Sequence, residues 1–143
     1  MNKLFYMYNI LMNTQKTIII NEKIKILVVD DAKINRYIII KFIGMFRPNL
    51  KIDEAINGNQ AIKMSKEKDY DIIFMDIKMP GIDGIQTSIE ILKNKPYTNI
   101  YGITGSIEEA NIKLAKQSGM LGCIGKPIDK HELSNILDKY CVV

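Results

Sequence analysis

Asp76 closes a short apolar run, Asp71-Ile72-Ile73-Phe74-Met75, and is followed at once by Ile77-Lys78-Met79-Pro80-Gly81-Ile82-Asp83-Gly84. The run reads as a buried strand and the Pro/Gly/Asp/Gly cluster as a loop, so a carboxylate stands at the carboxyl edge of a strand. Three further strand-like runs end in polar groups: Ile24 to Val29 in Asp30-Asp31, Asn99 to Ile103 in Thr104, and Leu121 to Gly125 in Lys126-Pro127. In open α/β sheets, ligands bind at that edge. Three acids gathered there repel one another unless neutralised, and Lys126 brings a single positive charge. A hard divalent cation such as Mg²⁺, which takes oxygen ligands and is often held by one or two carboxylates, is the natural complement. Carboxylates, a hydroxyl and a lysine around Mg²⁺ suit phosphoryl transfer, and a carboxylate can itself be the nucleophile and become an aspartyl phosphate. Taken singly, Asp30 reads as a helix cap, Asp76 as a turn former, Thr104 as a helix-entry residue and Lys126 as a surface charge. Coincidence is a poor account of all four together.

The elements that must position these groups alternate. Ala32 to Phe46 is helical, with Ile34, Ile38, Phe42 and Met45 on one face and Pro48 beyond its end. Leu50 to Glu54 is a weak strand, and Asn57 to about Lys66 a short helix with Ala61 and Met64 inward. Gly84 to Asn94 puts Ile85, Ser88, Ile89 and Leu92 at helical spacing. Ser106 to Gln117 puts Ile107, Ala110 and Leu114 inward, with Ser106 as N-cap and Gly119 past the end. Asp129, as a cap, opens a last helix to Tyr140, with Leu133, Ile136, Leu137 and Tyr140 inward. Five β-α pairs imply a parallel sheet with helices on both faces. Right-handed crossovers favour a flavodoxin-like order 2-1-3-4-5, which sets Asp30-Asp31 beside Asp76.

The bulk composition narrows the class. A chain of 143 residues suits one domain with a sizeable core, and 47% hydrophobic with 25% charged residues is ordinary for a globular protein. A net charge of +4 without a basic block or helix-turn-helix signature argues against nucleic-acid binding. Cys123 and Cys141 form no metal-spaced or redox motif. Cys123 reads as a small buried hydrophobe and Cys141 as partly exposed, in a reducing, cytoplasmic setting. His131 has no partner at ligand spacing and reads as a surface residue. Residues 1–22 are set apart as an N-terminal extension, with 23–143 as the domain. The apolar stretch Leu4 to Met12 is too short and interrupted for a membrane span and lacks the cleavage site of a signal peptide. Thr17 to Ile20 reads as an extra strand or a sticky extension; for the arm as a whole, disorder, packing on the domain and a start-codon artefact, with Met12 also available, are the alternatives.

The ordered set Val28-Val29-Asp30-Asp31, Asp76 with Met79-Pro80-Gly81-Ile82-Asp83-Gly84, Thr104, and Lys126-Pro127 resembles the response-regulator receiver domain of two-component signalling, from about Ile24 to Tyr140. The resemblance implies a stand-alone (βα)5 receiver. Asp76 would accept a phosphoryl group from a phosphohistidine on a sensor histidine kinase or a histidine phosphotransfer protein. Asp31, Asp76 and the backbone carbonyl of Lys78 would ligate Mg²⁺, with Asp30 acting directly or through water. Lys126 would pair with Asp76 and the phosphoryl group, Thr104 would swing in to bond a phosphoryl oxygen, and the Lys126–Pro127 bond would be cis. Asp30 to Arg36 and Lys126-Pro127-Ile128 resemble receivers of hybrid kinases and phosphorelays. The chain is accordingly expected to switch the binding of a downstream protein target, through its last two helices and the strand between them, and not to be an enzyme. Weak self-association is among its expected interactions.

Two positions depart from the family pattern. Where an aromatic usually stands three residues before the lysine, this chain has Cys123, so the switch is expected to be muted or carried by Thr104 and backbone motion, with Tyr101 as a substitute ring. Lys78 and Ser106 occupy the positions that control access of hydrolytic water in the family. Other classes fit less well. A haloacid-dehalogenase-type phosphatase needs an Asp-x-Asp pair, whereas Asp76 is followed by Ile77-Lys78. A flavodoxin-like cofactor binder needs a phosphate-cradling loop after the first strand, where this chain has two aspartates. A degenerate receiver would lack part of the acceptor set, all of which is present.

Overall fold

The structure, a computed structural model, describes residues 20–142. Five strands, β1 (Lys25–Val29), β2 (Lys51–Ala55), β3 (Ile72–Asp76), β4 (Asn99–Thr104) and β5 (Gly122–Gly125), alternate with five helices. These are α1 (Lys33–Phe46), α2 (Gly58–Glu67), α3 (Gly84–Asn94), α4 (Glu109–Gln117) and α5 (Lys130–Cys141). All strand pairs are parallel and the order is β2-β1-β3-β4-β5, as the alternation predicts.

Burial explains why the central strands are continuous apolar runs. Ile26 to Val29 in β1 and Ile72 to Met75 in β3 are fully inaccessible, because a parallel sheet is covered on both faces. Alternate residues serve opposite layers. Ile26, Val28, Ile72 and Phe74 pack with Ile39 and Ile43 of α1 and Leu133 and Leu137 of α5. Leu27, Val29, Ile73 and Met75 pack with Ala61 of α2, Ile91 of α3 and Ala115 of α4. β2 is an edge strand and its residues are more exposed, matching its weak apolar signal.

Several helix faces differ from expectation. α1 buries Arg36, Ile39 and Ile43, while Ile34 and Met45 are exposed and Ile38 and Phe42 only half-buried. Its apolar residues lie on nearly every side, so spacing alone does not select the face the sheet covers. α3 buries Thr87, Ser88 and Ile91, with Ile85, Ile89 and Leu92 at its margin. In α2, Ala61 and Ser65 are buried and Met64 half-buried. α4 begins at Glu109, three residues later than the Ser106 start, and buries only Ala115; Ile107, Ala110 and Leu114 are exposed. Ser106 is no cap: the cap position of α4 falls on Glu108, which makes no side-chain cap bond, and the Ser106 backbone N–H turns back to the Thr104 hydroxyl. Asp83 and Asp129 do cap α3 and α5, accepting from Gln86 N and from His131 N and Glu132 N. Gly119, with φ of 97°, ends the turn after α4. α5 runs to Cys141, which is buried and not partly exposed; Cys123 is half-buried. His131 is exposed.

Of the Thr17–Ile20 run only Ile20 is described. It makes an antiparallel bridge to Val142, and Asn21 N donates to Cys141 O at 2.6 Å. The apolar stretch Leu4 to Met12 lies outside the described residues. Among the described residues no helix is long and apolar enough to cross a membrane.

Candidate functional site

The strand ends meet as the topology requires. β1 pairs with both β2 and β3, so Asp30, the residue after β1, and Asp76, the last of β3, are neighbours across the sheet. Asp30, Asp31 and Asp76 each offer a carboxylate oxygen, and these oxygens lie within 4.8 Å of one another. Asp30 is inaccessible and Asp76 is 3% exposed, while Asp31 is exposed. Lys126 reaches in from the loop after β5, with Nζ 3.2 Å from Asp76 Oδ1 and 3.5 Å from Asp30 Oδ2. Its backbone is tied to β4 by Lys126 N donating to Thr104 O at 2.8 Å, and the Lys126–Pro127 bond is cis.

Charge in this cleft is uncompensated. Burial, and after it the Asp30 carboxylate, pushes the Asp76 acid above its ordinary value, and Lys126 only partly opposes this. For Lys126, burial alone would lower the ammonium, but the Asp76 and Asp30 carboxylates outweigh it and hold the group above its ordinary value. Three acids against one lysine leave room for a hard cation, and the donor set is all oxygen, which suits Mg²⁺. Lys78 lies two residues past Asp76 in an exposed loop position, and its side chain makes no ion pair among the described residues.

Thr104 ends β4 at 3% exposure. Its hydroxyl donates to Ser106 O at 3.0 Å and accepts from Ser106 N at 3.1 Å, so it is occupied by its own loop. Cys123 pairs with Gly102 across β4–β5 and packs in the α2/α3/α4 layer. Tyr101 is the neighbouring residue on β4 and so faces the other layer, where its hydroxyl meets that of Tyr140 at 2.7 Å. Tyr101 therefore does not substitute for a ring at position 123. Burial raises the Cys123 thiol above its ordinary value, which leaves it a packing group.

Two residues of the site were not singled out from sequence. Asn35 Nδ2 donates to both oxygens of Asp30, at 3.2 and 3.1 Å. Arg36 is 8% exposed, donating from Nη1 to Asp30 O at 2.8 Å and from Nε to Glu54 Oε1 at 3.0 Å. A polar pair one turn into a helix that follows two acids was the available signal, masked by the surrounding isoleucines.

The topology and the acidic strand ends together define a receiver-type α/β domain. The chain belongs to the response regulator receiver domain family, whose model matches residues 26–138, the family of two-component and phosphorelay signalling. It is 34% identical over 124 residues to the osmosensing histidine protein kinase SLN1 of Saccharomyces cerevisiae, covering 82% of this chain and 10% of that one. It is 39% identical over 109 residues to the transcriptional regulatory protein ResD of Bacillus subtilis, covering 76% of this chain and 44% of that protein. The chain thus spans less than half the length of either relative. Among solved structures, the receiver domain of Ssk1 from Saccharomyces cerevisiae, in complex with the histidine phosphotransfer protein Ypd1, aligns with a TM-score of 0.75 at 26% identity, covering 83% of this chain and 89% of that one. The receiver domain of the sensor histidine kinase PA1611 from Pseudomonas aeruginosa, with magnesium coordinated in its active-site cleft, aligns at 0.74 and 26% identity, covering 82% and 97%.

Proposed function

We propose that Asp76 is the phosphoacceptor of a Mg²⁺-dependent receiver charged by a phosphohistidine donor, and that the chain acts by switching partner binding and not by turning over a substrate. The observation that carries this reading is the buried Asp76 carboxylate, held by Lys126 and crowded by Asp30 and Asp31. An Asp76 oxygen would attack phosphorus, the phosphorus–nitrogen bond to the donor imidazole would break, and an acyl phosphate would form. Lys126 orients the acceptor and offsets charge on the transferred group. Asp31, Asp76 and the Lys78 carbonyl would hold a cation, with Asp30 behind them, and it would supply further charge compensation there. Thr104 would exchange its bonds to Ser106 for one to a phosphoryl oxygen, carrying the change into the β4–α4 loop. Intact-mass measurement after incubation with acetyl phosphate tests this: one phosphoryl adduct is expected with Mg²⁺ and none with EDTA. An unmodified, folded protein with both acetyl phosphate and a phosphorylated histidine protein would refute it.

The donor surface follows from α1. Ile34 and Tyr37 are 63% and 56% exposed, and beside them Ile38 and Phe42 line a groove of about 300 Å³ with Lys126, Pro127 and Ile128. An apolar helix face bordering the acid cleft fits docking of a histidine phosphotransfer protein, the kind of partner with which the Ssk1 receiver forms its complex. Replacing Ile34 by Glu should slow transfer from a histidine phosphotransfer protein about tenfold, the size of one interface anchor. Labelling by acetyl phosphate, which needs no docking, should be unchanged. Equal slowing with both donors would move the docking face elsewhere. A cytoplasmic setting is part of the same proposal, since the donors belong there.

A further inference from the structure

Asp30 and Asp31 are adjacent in sequence but differently engaged. The Asp30 carboxylate accepts from Ala32 N at 2.8 Å on Oδ1, and from Asn35 Nδ2 on both oxygens, while Lys126 Nζ stands 3.5 Å from Oδ2. A carboxylate has about four lone-pair sites, so these donors leave Asp30 little free acceptor capacity. Its backbone is equally fixed, with Asp30 N bonded to Ala55 O at 3.2 Å and Asp30 O taken by Arg36, which Glu54 holds in turn. Asp31, by contrast, is exposed, and its carboxylate takes part in no hydrogen bond or ion pair among the described residues. Asp76 uses only Oδ1, toward Lys126. The spare acceptor capacity facing the cleft therefore belongs to Asp31 and Asp76.

We infer that Asn35 is a positioning residue that keeps the Asp30 carboxylate within the protein's own hydrogen-bond network and out of direct contact with the cation, and thereby holds cation affinity down. This rests on the reading of the cleft as a cation-dependent acceptor site. For an ion to take an Asp30 oxygen, Asn35 or Lys126 would first have to leave it. The ion would instead sit on Asp31 and Asp76 and meet Asp30 through water. Arg36 acts alongside, fixing the turn from which both acids project.

The consequence has a sign opposite to that of an ordinary site-supporting residue. Without Asn35, the buried Asp30 carboxylate loses a donor, and the cation-free protein suffers most. In the cation-bound protein the freed lone pairs can turn to the ion or its waters. By linkage, removing Asn35 must tighten cation binding while weakening the cation-free fold. Asn35→Asp should go further in the same direction, because two facing carboxylates are relieved only by a cation.

Calorimetric titration of the 143-residue chain with Mg²⁺, together with thermal melts in EDTA and in saturating Mg²⁺, tests the inference on wild type, Asn35→Ala and Asn35→Asp. The Kd is expected to fall about tenfold in Asn35→Ala, the weight of a hydrogen bond to a buried charge, with a lower melting temperature in EDTA that Mg²⁺ restores. An unchanged Kd with equal melting losses in both buffers would make Asn35 a structural residue only. A weakened Kd would make it a residue that delivers Asp30 to the ion. Either result overturns the inference and leaves the acceptor reading intact. A wild-type chain that binds no Mg²⁺ would remove both.

Discussion

An Asp76→Asn chain is expected to gain no phosphoryl mass from either acetyl phosphate or a phosphorylated histidine protein, and to melt several degrees higher than wild type in EDTA. The first half follows from the loss of the nucleophilic oxygen. The second follows from the cleft's charge. Burial and the Asp30 carboxylate lift the Asp76 acid above its ordinary value, so the folded state favours the protonated form more than the unfolded chain does. That preference stabilises the fold at low pH and is lost as pH rises from the usual carboxylate range through the raised value. The stability gap between Asp76→Asn and wild type in EDTA should therefore widen from acid pH toward neutrality. Asparagine keeps an oxygen for Lys126, so the pair at 3.2 Å is weakened and not orphaned. Mg²⁺ should raise the melting temperature of wild type far more than that of the variant, because only wild type has the full set of repelling acids to relieve. Thermal melts across pH, with and without Mg²⁺, read all of this. A variant no more stable than wild type at neutral pH in EDTA would mean that Lys126 alone balances the cleft.

The acceptor cleft was legible because its residues stand at strand ends. A parallel sheet covered on both faces demands continuous apolar strands, and each such run here stops at a polar residue, so the runs mark the strands and the strand ends mark the cleft. The order 2-1-3-4-5 then brings Asp30 beside Asp76. Helix faces were harder to read. α1 carries Ile38, Ile39 and Ile40 in succession, and only the sheet decides that Ile39 goes inward. α4 is nine residues long and buries Ala115 alone. Leu114 within it and Ile107 just before it lie at the surface, where the proposed output face would lie. Asn35 and Arg36 stood only within the Asp30 to Arg36 resemblance, and their bonds to Asp30 went unread because a buried hydrogen-bond network leaves no periodic trace. Cys141 was misjudged because α5 runs one residue past Tyr140 and so places it in the core layer that holds Ile39, Ile43 and Leu137.

Gly84→Ala should be the most damaging single methyl in the domain. A Cβ at this position would lie 2.1 Å from Asp76 O, 2.8 Å from Ile77 Cα and 2.9 Å from Asp76 C. All three are backbone atoms, so no side-chain rotation can make room. The junction is closed further by Gly84 N donating to Ile77 O at 2.8 Å, which seats the start of α3 against the end of β3. Admitting the methyl means moving α3 off the sheet or displacing the Asp76 carbonyl, at a cost of about 3 kcal/mol, the upper range for overpacking. Gly44 is the control, since nothing lies within 4 Å of its Cβ position in α1. There alanine should stabilise by about 0.5–1 kcal/mol through helix propensity. Urea unfolding midpoints of the two variants should thus move in opposite directions. The same displacement would shift Asp76 relative to Lys126, so any folded fraction of Gly84→Ala should accept phosphoryl groups more slowly than wild type. If Gly84→Ala matched wild type in both midpoint and labelling rate, the β3–α3 junction would be compliant, and the position of Asp76 would have to be fixed by Lys126 and the β1–β3–β4 ladder alone.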